Sequence, residues 1–319
     1  MANRIAQLLS GTLTGDLPSD DNIGSFKEIA DTIVGAAIVI DGTNKSLVIT
    51  EIEFYLTDDN HRDPFTHKDE LQATPAQFYF HRQNGKSFKG GTYKGLDITF
   101  RIRDTPTFGG ILIRSCLEVP TDKYYGQEPD DGVQHQQYRH IEGPCNVVNC
   151  LLALAKVESI QDLVHLANLT SGDMAVPLSN KVFTLREPKT VVKYDISPRV
   201  GLTLKKSTSY NDMHVRYIMR PYRCTIDICA FRGTAKIKTY KCLQTLARYV
   251  LSDDPSTSIG EGEYRTHFRT GSAIYANGRL DENRAKELYD VIKTNGITTV
   301  KYLCMLYGYW CAMTGQRLL

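Results

Sequence analysis

Strand-forming patterns occupy the first part of this chain before any clear helix, and this order most constrains its fold. The first clear helical pattern covers 146–157, a second follows at about 159–169, and strand patterns then return. Strands first, few helices and then strands again predict an α+β fold rather than alternating β-α-β units. The predicted strands lie at 36–40, 48–56, 76–80, 96–103 and 110–117, and again near 191–194, 199–205 and 215–229.

The C-terminal part of the chain has a different character, because its apolar residues recur at helical spacing. This spacing covers 234–250, and two further helices are predicted at 281–293 and 298–313, each followed by a glycine that favours a helix end. We therefore predict an α+β domain over residues 1–230 and a helical C-terminal extension over residues 231–319.

Composition indicates a globular protein, with 41% hydrophobic and 23% charged residues among 319. No segment combines a charged start, an apolar run and a small-residue cleavage site, and no apolar run reaches the roughly 18 residues that a membrane helix requires. The eight cysteines lack the paired two-residue gaps of zinc ribbons. We expect a soluble, cytoplasmic protein with free, buried thiols, no membrane association, no metal and no cofactor.

The strand VITEIEFYL at 48–56 carries two acidic residues within an apolar pattern. Side chains alternate along a strand, so Ile52 and Phe54 share one face while Glu51, Glu53 and Tyr55 share the other. The apolar face fits a protein core. The acidic face fits either a solvated surface or a working carboxylate, and the strand alone does not choose between them.

Positive charge is concentrated between residues 181 and 248, where fifteen Lys and Arg residues stand against four acidic ones. Five tyrosines are interleaved with them in the same stretch. A basic, aromatic-containing surface is what binding along a phosphate backbone requires. A solvated basic face without a partner would have the same composition, so both interpretations stay open.

Four further stretches depart from local expectation. Arg114 lies in the apolar strand GGILIRSCL, where a buried guanidinium normally needs a carboxylate or phosphate partner. Gly95 precedes a strand in YKGLDITF, which indicates a close approach to the backbone. A helix begins at Gly143-Pro144, and its free N–H groups suit an anion. Arg199 is part of PRVGL in the basic region.

In this order, the motifs resemble the alkyladenine (3-methyladenine) DNA glycosylase family. That family has a strand ETEAY, a YG dipeptide before the next strand, a strand ending in LIRA, a helix beginning with GP, and an RVGV strand. The corresponding stretches here are EIEFY, Lys94-Gly95, LIRS, Gly143-Pro144 and RVGL, and the interval from Gly95 to Arg114 equals that of the family. The resemblance covers about residues 26–223 and implies a curved, mostly antiparallel sheet with flanking helices.

The resemblance also implies a reaction and its catalytic residues. Glu53 would activate the water that breaks an N-glycosidic bond in double-stranded DNA, Arg114 would orient that carboxylate, and the backbone carbonyl of Val200 would contribute. The target base must leave the duplex while an inserted side chain holds the gap. Tyr93 or Lys94 would be this wedge, and the expected DNA contacts are completed by Gly95, Gly143, Arg199, Lys205 and Lys206.

The base pocket departs from the family pattern. Gly91 stands where the family has a stacking tyrosine and Arg101 where it has an asparagine, while His67 is the nearest candidate for the pocket histidine. Tyr55 and Asp97 complete the predicted pocket. These changes favour a bulky, polar hypermodified base, such as glycosylated hydroxymethylcytosine in phage DNA. Excision of alkylated purines and a non-catalytic DNA-binding module remain as alternatives.

Overall fold

The chain forms two compact units. The first, here called the sheet unit, comprises Met1–Arg62, Thr66–Tyr194 and Cys224–Thr234. The second, the helical unit, comprises Asp63–Phe65, Asp195–Arg223 and Ala235–Leu319, so residues 195–223, which precede the predicted boundary at 231, belong to it. The computed structural model describes residues 2–11, 23–102, 107–122, 138–168, 174–188, 191–197, 199, 201–210, 213–218, 220, 222–226, 261–295 and 300–315.

Two helices precede the first strand, so the described residues do not begin with strands as the sequence order predicts. The helices are α1 (Ala2–Leu9), α2 (Ile23–Ile33), α3 (Pro144–Ala155), α4 (Ile160–Ala167), α5 (Met213–Ile218), α6 (Glu261–Ser272), α7 (Glu282–Asn295) and α8 (Val300–Thr314). The strands are β1 (Ala37–Ile40), β2 (Lys45–Thr57), β3 (Gln77–Phe80), β4 (Arg82–Gln83), β5 (Ser87–Phe88), β6 (Leu96–Thr99), β7 (Phe108–Val119), β8 (Arg139–Glu142), β9 (Val176–Pro177), β10 (Phe183–Arg186), β11 (Asp195–Ser197), β12 (Arg223–Thr225), β13 (Tyr275–Ala276) and β14 (Arg279–Leu280).

The sheet unit is built on a curled antiparallel sheet, so the predicted α+β class with a curved antiparallel sheet is confirmed. Its strands are ordered β10-β1-β2-β7-β6-β3-β9, and β8 also pairs with β7. Each of these neighbouring pairs is antiparallel. The two longest strands, β2 and β7, lie side by side in the middle of this order.

One face of β2 is the apolar core that the alternation predicts. Ile52, Phe54 and Leu56 are buried. The ring of Phe54 stacks on that of Phe26 from α2 at 4.4 Å between centroids, and the ring of Phe100 meets Phe54 edge-on at 5.8 Å. Burying such side chains contributes about 1.5–3 kcal/mol each, so this face fixes which way β2 is turned and directs its acidic face away from the core.

The pairing of β2 with β7 is interrupted once, beside the acidic residues. The regular register places Ile49 opposite Cys116 and Ile52 opposite Ile113, whereas Glu51 lies opposite Ser115. The register therefore shifts by one position and shifts back, so that the ladder pairing skips Thr50 on β2 and Arg114 on β7. Such irregularities re-aim side chains and are over-represented next to active sites.

The helical unit has its own core, formed around α8. Tyr307 and Trp310 are buried there, as is Ile292 of α7. Helices α6 and α8 approach so closely that a side chain at Gly271 would collide with the carbonyl of Met305. The predicted helices at 281–293 and 298–313 are confirmed by α7 and α8. The predicted helix at 234–250 lies outside the described residues.

Of the strands predicted late in the chain, the one over 199–205 is wrong, and the one over 215–229 is right only in part, at β12 (Arg223–Thr225). Residues 201–210 form bends and turns, and 213–218 form helix α5 instead of the start of a strand over 215–229. Val215 and Ile218 of α5 are both buried in the helical unit, at the three-residue spacing of one helix face. The β-branched residues of this segment favoured a strand, and packing against the helical core outweighs that preference.

Candidate functional site

Glu53 and Arg114, sixty-one positions apart, meet on the sheet. Nη1 of Arg114 donates to Oε2 of Glu53 at 3.2 Å, and the hydroxyl of Tyr55 donates to the same oxygen at 2.8 Å. The Glu53 side chain has no exposed surface. The acidic face of β2 is therefore not a solvated surface, and its central carboxylate is held by a cation and a phenol.

Glu51 is a second carboxylate at the same guanidinium. Nε of Arg114 donates to Oε1 of Glu51 at 3.0 Å, and the hydroxyl of Ser115 lies 3.3 Å from Oε2 of Glu51. Burial acts to lower the pKa of Arg114, but the charges of Glu53 and Glu51 outweigh it and raise the pKa above the ordinary value. Arg114 therefore stays a cation at any physiological pH.

A second polar cluster lies on the same face of the sheet as Glu53. Glu53 pairs with Leu112, Leu112 with Asp97, and Asp97 with Tyr79. Directly paired residues on neighbouring strands project to the same face. Because neighbouring strands are about 4.8 Å apart, the backbones of Glu53 and Asp97 are separated by about 10 Å across this face.

Asp97 is buried and held from two sides. Nε2 of His81 lies 2.7 Å from Oδ1 of Asp97, and Nε2 of Gln72 donates to Oδ2 at 3.1 Å. Two glycines make room for this cluster. A β-carbon at Gly110 would lie 2.5 Å from Oδ2 of Asp97, and one at Gly95 would enter the imidazole of His81. The close approach predicted at Gly95 is therefore confirmed, with His81 as the neighbour.

His67 is the outermost member of the cluster. Its ring meets that of His81 edge-on at 4.4 Å between centroids, and Nζ of Lys89 lies 3.2 Å from its Nε2. The residue as a whole is exposed, although protein groups lie close to its ring on the side of His81 and Lys89. Burial of the ring, with the charges of His81 and Lys89, lowers the pKa of His67 to about 4 despite the opposing charge of Asp97.

The polar loop before β3 is partly structural. Asp69 caps a short 3-10 helix at Glu70–Ala73 through the N–H of Leu71 and forms a buried ion pair with Arg82. Oδ1 of Asp58 accepts from the backbone N–H groups of Asn60 and His61 at 2.8 and 2.6 Å. These two carboxylates therefore stabilise the loop. His67, from the same loop, contacts His81 and so joins the polar cluster around Asp97.

The predicted wedge lies in a short 3-10 helix, Gly91–Tyr93. Tyr93 is 78% exposed, whereas Nζ of Lys94 donates to Asn149 of α3 at 2.8 Å. The carbonyl of Gly91 accepts from the thiol of Cys145, one residue into α3 after Pro144. Gly91 and Lys94 therefore both contact α3, and Tyr93 between them stays exposed.

Gly143 and Arg101 lie next to the ends of α3 and β6. Gly143 precedes α3 with φ of +93°, a conformation that favours glycine, and Pro144 follows it as the first helical residue. Arg101 lies beyond the end of β6, where its backbone N–H donates to the carbonyl of Leu9 at the end of α1.

The expectation that Arg199 contacts DNA is wrong. Its side chain is fully buried in the helical unit, where Nη1 and Nη2 lie 2.5 and 3.3 Å from the two carboxylate oxygens of Asp63. A fully buried guanidinium cannot reach a phosphate in solvent. Lys205 and Lys206 are exposed, as a DNA contact requires, and Val200 lies outside the described residues.

Sequence reasoning missed Lys89 and gave His81 no definite role. The signal for His81 was present in Gly95, because a glycine before a strand indicates that something packs on the backbone. Lys89 belongs to the stretch GKSFKGG, whose composition resembles a phosphate loop without its ending. Only the folding of that stretch back onto His81 connects Lys89 with the site.

The fold and the site together define an α+β protein with a buried carboxylate-guanidinium site on an antiparallel sheet. No family model matches the sequence. The chain is 33% identical over 221 residues to uncharacterized protein L759 of Acanthamoeba polyphaga mimivirus, an alignment that covers 65% of this chain and 91% of the viral protein. The chain therefore belongs to the same family as that viral protein.

The described residues also bear on a membrane span and on a metal site. Within those residues, no helix has the length and apolar character needed to cross a bilayer. The same part of the chain holds no group of three or more His, Cys, Asp or Glu side chains arranged to bind a metal ion.

Proposed function

We propose that this protein is a DNA glycosylase that flips a modified base out of double-stranded DNA and hydrolyses its N-glycosidic bond. The observation that supports this most is the burial of the Glu53 carboxylate against Arg114 and Tyr55. Cleavage of such a bond passes through an oxocarbenium-like sugar, which requires a carboxylate to activate water and to face the developing positive charge. The product is an abasic site.

Each side chain of the carboxylate cluster has a separate role in this mechanism. Glu53 accepts a proton from the attacking water. Arg114 and Tyr55 both donate to its Oε2, which fixes the plane of the carboxylate. Glu51 holds the other end of the guanidinium and so positions Arg114.

DNA is the proposed partner. The exposed lysines of the basic stretch, Lys205 and Lys206 among them, would bind phosphates. Tyr93 is the proposed wedge, because a large exposed ring can replace an extruded base in the stack. We place the protein in the cytoplasm, and the free thiols of its six described cysteines support this location.

The favoured substrate is a bulky, polar hypermodified base such as glycosylated hydroxymethylcytosine, which would make the protein an antiviral defence enzyme. Support comes from the hydrogen-bonding groups on the face that carries Glu53, namely His67, His81 and Asp97, and from the lack of a side chain at Gly91. One alternative uses the same reaction for the repair of alkylated purines. The other is a DNA-binding module without catalytic activity.

The decisive experiment measures release of free base from phage DNA with and without sugar decoration. Glu53→Gln should lower the rate by at least about a hundredfold while DNA binding persists, since a general base contributes about 10²–10⁴ in rate. Glu118→Gln is the matched control: it alters a carboxylate of the same sheet that pairs with Arg139 and Lys45. Unchanged release by Glu53→Gln would refute the mechanism. Release from methylated DNA alone would identify the repair alternative.

A further inference from the structure

Lys89 is fixed in place by the hairpin that precedes it. Strands β4 and β5 pair Arg82 with Phe88, so the chain turns back immediately after β3. The backbone N–H of Lys89 then donates to the carbonyl of His81 at 2.8 Å. This bond holds Lys89 beside the imidazole cluster, and its half-buried side chain extends to His67.

The contact between Lys89 and His67 determines the proton position on the imidazole. A lysine ammonium has donors and no acceptor, so Nε2 of His67 must accept at 3.2 Å and its proton must reside on Nδ1. A lowered pKa of about 4, caused by burial and then by the charges of His81 and Lys89, keeps this ring neutral despite Asp97 and Asp69. Nδ1 of His67 is then a fixed hydrogen-bond donor.

The negative and positive charges near Nδ1 of His67 differ in how deeply they are buried. Asp97 is buried beneath His81 and Gln72, so its carboxylate charge is directed into the protein. Lys89, which contacts His67, is less deeply buried than Asp97. A base placed against His67 would therefore meet a donor and an ammonium before it met a carboxylate.

We propose that Lys89 and His67 select the base: they favour a neutral base with a hydrogen-bond acceptor and reject one with a fixed positive charge. This inference rests on the proposed function and narrows its substrate class. Specificity of this kind comes from repulsion of the wrong ligand as much as from attraction of the right one. Lys89 is thus a specificity-determining residue, and it takes no part in the attack on the sugar.

The test uses two bases that differ in charge alone. Binding is measured with the whole chain carrying Glu53→Gln, so that no turnover occurs. One duplex contains 7-methylguanine, which is cationic, and the other contains its uncharged isostere 7-methyl-7-deazaguanine. Adding Lys89→Met should change the ratio of the two affinities about tenfold in favour of the duplex with the cationic base. This is the size expected when a partly screened repulsion between two positive charges is removed. Lys89→Arg should retain the original ratio. Lys86→Met, which removes an exposed lysine of the same hairpin, is the control.

A second measurement decides the proton position without DNA. ¹⁵N chemical shifts of the imidazole rings should show His67 neutral with its proton on Nδ1 at pH 7, and Lys89→Met should release the ring to a mixture of tautomers. An affinity ratio that Lys89→Met leaves unchanged, or a His67 proton on Nε2 in the wild type, overturns the inference. Because neither measurement needs base release, failure of the glycosylase proposal, seen as no release by the wild type, remains a separate result.

Discussion

Replacing Arg199 with methionine should destabilise the helical unit far more than removal of an exposed arginine. The guanidinium and the carboxylate of Asp63 are both fully buried, with Nη1 to Oδ2 at 2.5 Å and Nη2 to Oδ1 at 3.3 Å. Nη2 also donates to the carbonyl of Tyr217 at 3.3 Å. Arg199→Met keeps most of the side-chain volume and leaves the charge of Asp63 uncompensated.

The expected loss follows from this burial. Removing one partner of a buried pair costs about 3–5 kcal/mol in free energy of unfolding, because the other charge stays desolvated. The guanidinium also lies 5.5 Å from the ring centroid of Phe65 and 5.4 Å from that of Tyr222, and such cation–π interactions add about 1 kcal/mol. Arg284, which is 62% exposed and pairs with Asp281 at 3.4 Å, should contribute about 0.5 kcal/mol or less.

The assay is urea unfolding followed by circular dichroism, with Arg284→Met as the control in the same unit. The double variant Arg199→Met/Asp63→Leu should recover more than half of the loss, because both buried charges are then gone. A loss below about 1 kcal/mol for Arg199→Met, indistinguishable from the control, would refute the argument from burial.

DNA binding separates this structural role of Arg199 from the role that the sequence indicated. The folded fraction of Arg199→Met should bind DNA with the wild-type dependence on salt. Changing Lys205 and Lys206 to glutamine should reduce the slope of log affinity against log salt by about 2, because two phosphates are no longer neutralised. A reduced slope for Arg199→Met with full retention of folding would restore that arginine as a phosphate ligand.

Two further variants test the polar cluster of the sheet unit. Gly95→Ala should destabilise the protein by about 1–3 kcal/mol and displace His81, because the new β-carbon would enter the imidazole; urea unfolding measures the loss, and unchanged stability would contradict the close approach. Arg82→Met tests the buried ion pair between Arg82 and Asp69. Burial alone would raise the pKa of Asp69, but the hydrogen bonds from Arg82 and from the N–H of Leu71 outweigh burial and lower this pKa. A lowered pKa stabilises the fold above the ordinary value of the carboxyl, so the stability gap between wild type and variant should narrow as pH falls below about 4; a gap that widens there would refute the pairing.

The residues that meet at Arg114 were predictable because strand alternation is a local property. Period two places Glu51, Glu53 and Tyr55 on one face of β2 whatever the rest of the chain does, and an arginine in an apolar strand requires a partner. Arg199 is likewise a buried arginine with a charged partner, but the partner is a carboxylate of the protein and not the DNA phosphate that the sequence indicated. Its carboxylate, Asp63, lies 136 positions away, in a loop that nothing in the local sequence marks as a buried neighbour.

The shared guanidinium depends on the register irregularity more than on the residues themselves. An uninterrupted ladder would place Arg114 directly opposite Glu51, since the register on either side pairs Ile49 with Cys116 and Ile52 with Ile113. Such a one-to-one pairing favours a single ion pair across the strands. The shift by one position sets Glu51 opposite Ser115, so Arg114 lies between two carboxylates, with Nε on Glu51 and Nη1 on Glu53. Strand alternation thus determines which face carries Glu53, whereas the local irregularity places Arg114 where Glu51 and Glu53 share it. No residue pattern in either strand predicts that irregularity.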